Sequence, residues 1–90
     1  MSIHHSHEQA IKLYCMSLKK ELEKTIRGSI YLEPIGDNLH ITIHTPIGKV
    51  YQHTEYNIYN KIVQGIPTNT LSDYIVKSHK NFINFTFFIK

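Results

Sequence analysis

The segment Leu39-His40-Ile41-Thr42-Ile43-His44 alternates apolar and polar residues without a break. Successive side chains on a strand point to opposite faces, so this run requires a sheet that is buried on one face only. Leu39, Ile41 and Ile43 have to be covered, whereas His40, Thr42 and His44 do not. A one-residue slip in pairing would exchange the two sets, so the pattern specifies register as well as face. The rest of the chain must supply partner strands and an apolar cover.

Turn signals bound the run, with Gly36-Asp37-Asn38 ahead of it and Pro46-Ile47-Gly48 behind. Beyond them, Ser29–Pro34 reads as a strand with Ile30 and Leu32 on one face, and Lys49–Glu55 as a strand rich in Val, Tyr and Thr. The connections are short, which makes the three strands antiparallel neighbours. Helices provide the cover. Ile11, Tyr14, Cys15, Leu18, Leu22 and Ile26 recur at three- and four-residue steps and predict a helix over residues 7–27. Ser6 with Gln9 forms a capping box at its start, and Gly28 stops it. Asn57 is the expected cap of a short helix carrying Ile58, Ile62 and Val63, which ends near Gly65. Ile66-Pro67 forbids its continuation, since the residue before proline avoids the helical region. Thr70 with Asp73 would then cap a last stripe of Leu71, Tyr74, Ile75, Ser78, Phe82 and Phe85, although Asn84 to Ile89 fits a strand as well. The expected fold is α+β in the order α-β-β-β-α-α, a three-stranded antiparallel sheet packed on helices. It is one domain over residues 1–90, with a flexible N-terminus at residues 1–5.

Composition narrows the function classes. Ninety residues make one small domain, which excludes an enzyme with a separate cofactor-binding half. The single cysteine excludes an internal disulfide and a thiolate zinc site. No apolar run approaches the roughly 20 residues that cross a bilayer. No basic-then-apolar leader opens the chain. With a free Cys15, these features point to a reducing cytoplasm and to no membrane partner. The net charge of +3 permits contact with nucleic acid and opposes DNA mimicry, which needs a field of the other sign. Protonating all seven histidines would take the charge to +10, so the field responds to mild acid.

The histidines are the first place to look for chemistry. His4, His5 and His7 cluster near the start. If Met1 is removed, Ser2 carries the free amine and His4 is the third residue, an arrangement that can wrap Cu(II) or Ni(II) in a square plane. A polar terminus without metal is the simpler reading. His40 and His44 share a strand face but stand about 13 Å apart, too far to bind one ion. His53 would approach one of them across the hairpin, with Glu33 or Glu55 as third ligand. A polar sheet face explains the same residues without metal. Cys15 lies on the apolar stripe of the first helix, as a small core residue does. The glycines are isolated at turns, and the carboxylates show no pairing. The expectation is therefore a protein that is not an enzyme and uses no cofactor.

Binding remains. Lys12, Lys19, Lys20, Lys24 and Arg27 on the first helix would follow a phosphate backbone. Tyr31, Tyr51 and His53 would add stacking. The order α-β-β-β-α resembles the double-stranded-RNA-binding domain. The basic cluster that opens the last helix of that family has no counterpart in Asn57-Ile58-Tyr59-Asn60 or Thr70-Leu71-Ser72-Asp73. The apolar C-terminal run Phe82, Phe85, Phe87, Phe88 and Ile89 is suited to covering the sheet or to forming a homodimer.

A wider resemblance rests on the lysine-rich first helix, on Leu32-Glu33-Pro34-Ile35-Gly36-Asp37-Asn38-Leu39-His40-Ile41, on Ile62-Val63-Gln64-Gly65-Ile66 and on the aromatic end. In these features the chain resembles the small proteins encoded by phages and prophages of low-GC Gram-positive bacteria. That group includes anti-CRISPR proteins and other inhibitors of host defence. The resemblance implies stoichiometric binding to a host defence protein such as a CRISPR effector nuclease. The residues expected to carry binding, to protein or to nucleic acid, are Lys20, Lys24, Arg27, Tyr51 and His53.

Overall fold

The computed structural model describes residues 3–78, with side chains from His7 onward. The elements are α1 (Ile3–Thr25), β1 (Ser29–Ile35), β2 (Asn38–His44), β3 (Val50–Glu55), α2 (Ile58–Val63) and α3 (Thr68–Ser78). This is the expected α-β-β-β-α-α order. The sheet is antiparallel with strand order β1-β2-β3.

β2 is central, and its alternation decides the layers. Leu39, Ile41 and Ile43 are all at or below 2 % exposure. Ile41 pairs with Leu32 on one side and with His53 on the other. The helix-covered face therefore carries Ile30, Leu32 and Pro34 from β1, and Tyr51, His53 and Glu55 from β3. From α1 the core receives Ile11, Cys15, Leu18 and Leu22, from the residue just past its end Ile26, and from α2 and α3 Ile58, Leu71 and Ile75. Twelve side chains thus form a single apolar cluster between helices and sheet, the two-layer solution that a one-sided sheet requires.

Two glycines shape the connections. Ile35 pairs with Asn38, so the β1–β2 turn has two central residues, Gly36 and Asp37. Gly36 has φ +60 and Asp37 does not have a positive φ, as expected when glycine takes the first central position of a II′ hairpin turn. Gly28, between α1 and β1, has φ +118 and lies against the His44 carbonyl.

Several boundaries differ from the sequence expectation. α1 begins at Ile3, so Ser6 lies inside the helix instead of capping it, and residues 3–5 are helical backbone where a loose terminus was expected. Asn57 takes a left-handed conformation (φ 54) and makes no side-chain cap bond; its carbonyl accepts from the Asn60 amide instead. α3 starts at Thr68, two residues ahead of the expected Thr70 cap. The Pro67 carbonyl accepts from the amides of Thr70 and Leu71, so Pro67 caps the start of α3. Tyr74 is 57 % exposed and leaves the α3 stripe. The helix-or-strand question at residues 84–89, and dimerisation through the aromatic end, lie outside the described residues.

Candidate binding surfaces

The largest departure from expectation concerns the histidines. His53 does not share a face with His40 and His44. It stands opposite Ile41, on the helix-covered side. The reason is register: β3 pairs so that Tyr51, His53 and Glu55 oppose the three buried apolar residues of β2. Among the described residues no group of three His, Cys, Asp or Glu side chains can hold a metal ion.

On that covered side the polar residues satisfy one another. The Glu55 carboxylate is 8 % exposed and the His53 side chain 15 %. His53 Nε2 is hydrogen-bonded to Glu55 Oε2, and Lys61 Nζ from α2 lies 3.4 Å from Glu55 Oε1. Burial pushes the Glu55 carboxyl upward, but the His53 hydrogen bond and the charges of His53 and Lys61 outweigh it and hold the group below the usual glutamate range. Nearby, the Tyr14 hydroxyl donates to the Ile66 carbonyl at 2.9 Å. Burial, Cys15 and Glu55 push that phenol upward. A cleft of about 340 Å³ opens beside the cluster, lined by Glu55, Lys61, Ile66, Thr70, Leu71 and Tyr74. The cluster bonds β3 to α2 inside the fold. Tyr51 and His53, expected as exposed contact residues, are only partly accessible on this inner face.

The opposite face of the sheet carries Tyr31, Glu33 and Ile35 from β1, His40, Thr42 and His44 from β2, and Val50, Gln52 and Thr54 from β3. Among the described residues no helix lies on it. Tyr31 is 56 % exposed and meets His44 edge to face, with ring centroids 5.4 Å apart. His40 Nδ1 lies 3.3 Å from the Thr54 hydroxyl, its cross-strand partner.

The basic residues of α1 are surface residues. Lys12, Lys19, Lys20 and Lys24, with Arg27 beyond the helix end, are all exposed. Lys24 bridges Glu21 at 3.4 Å, an exposed pair of small energetic weight. Lys20, Lys24 and Arg27 therefore do not share a surface with Tyr51 and His53. The side chains of His4 and His5 lie outside the description. His7 stacks on Tyr59, with centroids 3.7 Å apart and planes 12° from parallel, and approaches Asp37 at 3.5 Å. It pins the start of α1 to α2 and to the β1–β2 turn.

The sequence reading joined His53 and Glu55 only as candidate co-ligands of a metal, and it missed the His7–Tyr59 stack. The His53–Glu55 pair was legible in principle, since residues two apart on a strand share a face. The His7–Tyr59 stack joins residues 52 positions apart and left no local signal. No protein-family model matches the chain, and no curated protein or solved structure shows significant similarity to it.

Proposed function

We propose that the chain is a small non-enzymatic protein that binds a partner protein stoichiometrically through the uncovered face of its sheet. The observation that supports this is Tyr31, exposed and held edge to face by His44 on a face that no described helix covers. Aromatic side chains supply large contact area at low entropic cost and dominate interface energetics. Ile35 and Val50, 57 % and 49 % exposed, add apolar area, while Thr42, Gln52 and Thr54 form a polar surround. The covered face, by contrast, is occupied by the fold's own side chains.

The resemblance to phage-encoded inhibitors of host defence gives the partner class: a defence protein such as a CRISPR effector nuclease, whose working surface the sheet occludes. The test is phage plating on a host with an active CRISPR nuclease, with and without the chain, together with reconstitution of the chain and the purified nuclease. The reading requires restored plating, a stable complex, and loss of both with Tyr31→Ala. Unchanged plating together with no complex would reject it.

A second reading rests on the element order, which resembles that of a double-stranded-RNA-binding domain without its basic cluster, and on the exposed Lys20, Lys24 and Arg27. It requires binding to duplex RNA that weakens steeply with salt. It also requires that Lys20→Ala and Lys24→Ala reduce affinity across sequences, which the protein-binding reading does not.

A further inference from the structure

The two oxygens of Glu55 are paired unequally. Oε2 is hydrogen-bonded to His53, whereas Oε1 meets Lys61 Nζ only at 3.4 Å. Charge-assisted N–H···O bonds run to about 2.7–2.9 Å, so this ion pair is long and leaves Oε1 able to accept a shorter bond. The Glu55 side chain is 8 % exposed, and it lines the cleft of about 340 Å³ beside α3. Lys61 lines the same cleft and also has capacity left. Its ammonium carries three donors, of which the Tyr56 carbonyl takes one at 2.9 Å and Glu55 claims a second. One acceptor and one donor, 3.4 Å apart, therefore border one cavity.

The remaining lining sets the shape of an occupant. Thr70, Leu71 and Tyr74 come from one side of α3. Buried Leu71 and half-buried Ile66 make apolar walls, and Tyr74, more than half exposed, brings its ring to the mouth. Ile66 is fixed from both sides. Its amide donates to the Lys61 carbonyl at 3.1 Å, and its carbonyl accepts from the Tyr14 hydroxyl at 2.9 Å. The cleft is thus built by the fold, with apolar walls and a few convergent polar groups, as small-molecule sites are.

Opposite charges this close decide the charge of the ligand. A cation at Oε1 would meet Lys61, and an anion at Nζ would meet Glu55. A neutral group with an N–H beside a C=O satisfies both. Apolar walls and an aromatic ring favour a flat partner. We propose that this cleft binds a nucleobase with a ring N–H beside a carbonyl, the edge that hypoxanthine, guanine and uracil share. The N–H donates to Glu55 Oε1, the carbonyl accepts from Lys61 Nζ, and the ring stacks on Tyr74. The site is on the helix side of the sheet and does not depend on the outer face bearing Tyr31.

Titration of the full chain with inosine, followed by residue-resolved amide NMR, tests the proposal. Inosine should bind with a Kd of about 1 mM or tighter. The shifts should centre on Ile66, Thr70, Leu71 and Tyr74. 1-Methylinosine, in which a methyl replaces the ring N–H, should not bind, and this control leaves the protein unaltered. Tyr74→Ala, at an exposed position, should weaken inosine binding at least about fivefold, the smaller end of the loss when an aromatic platform is removed from a base. A single-stranded inosine hexamer separates the two sources of such a base. Equal affinity per base assigns the free nucleoside, and tighter binding assigns a base within a strand. Inosine binding weaker than about 1 mM would overturn the proposal. So would 1-methylinosine binding as tightly as inosine, unchanged affinity in Tyr74→Ala, or shifts centred on Tyr31 and His44.

Discussion

His53 and Glu55 are hydrogen-bonded to each other on the helix-covered face of β3, opposite Ile41 and Leu39 of the central strand. A buried carboxylate is costly unless its oxygens are satisfied, and here one oxygen takes His53 while the other faces Lys61 of α2. Glu55→Gln keeps the shape and removes the charge. It should cost about 1.5–3 kcal/mol, the range for a lost hydrogen bond to a charged group. The check is the urea midpoint of the variant against the unmodified chain, at unchanged m-value.

The same carboxylate sets an acid limit. Its native pKa lies below the ordinary glutamate value of about 4.3. The unfolded chain therefore binds the proton first as pH falls, and stability rises with pH across that window. The Glu55 contribution is complete above about pH 4.3 and is lost as pH drops through the depressed native value. Urea midpoints measured from pH 6 to pH 2 should fall more steeply for the unmodified chain than for Glu55→Gln, and the two curves should converge at the acid end.

Gly28 is irreplaceable for a different reason. A Cβ built on it would lie 2.2 Å from the His44 carbonyl oxygen, a backbone atom that cannot swing away, and its φ is +118. Gly28→Ala should cost at least about 1–3 kcal/mol, the range for a residue forced into a sparsely populated conformation, with the contact adding to it. In a domain of this size each kcal/mol lowers the melting temperature by about 4–8 °C. Gly36→Ala is the control: φ is +60 but no atom lies within 4 Å of a built Cβ. It should cost only the left-handed penalty of about 1–2 kcal/mol.

Calorimetric comparison of the two variants separates strain from collision. Equal losses would mean that the chain between α1 and β1 moves away from the His44 carbonyl.

The order and type of every described element were legible because each rests on local pattern. The period-two run in β2 and the three-to-four-residue stripe in α1 each specify a face without reference to the rest of the chain. Side chains across the sheet were less legible. β3 reads Val50-Tyr51-Gln52-His53-Thr54-Glu55, with no apolar alternation to say which face is inner. Only its register against β2 puts His53 and Glu55 inside. Tyr51 and His53, expected on the exposed face, stand for this reason on the inner face, partly accessible. Lys61, which completes the cluster, comes from a six-residue helix whose position depends on the Ile58 amide bonding the Asp37 carbonyl at 2.7 Å. That bond reaches back to the β1–β2 turn and has no signature in either segment alone.

Cys15 gives a chemical readout of the α1–sheet interface. It is 7 % exposed, and burial pushes its thiol upward, away from the reactive thiolate. A thiol-reactive disulfide reagent should therefore label the native chain slowly and the urea-unfolded chain fast. If labelling needs a sub-global opening of about 3 kcal/mol, the native rate is lower by a factor of about a hundred. Leu13, 60 % exposed on the same helix, supplies the control. In a Cys15→Ala background, Leu13→Cys should label at close to the unfolded rate. The contrast should vanish in Leu22→Ala, where a fully buried neighbour one α1 turn beyond Leu18 is truncated and about 2–5 kcal/mol of stability is lost. Fast native labelling of Cys15 in the unmodified chain would mean that α1 separates from the sheet readily, and the core described above would not hold the fold together.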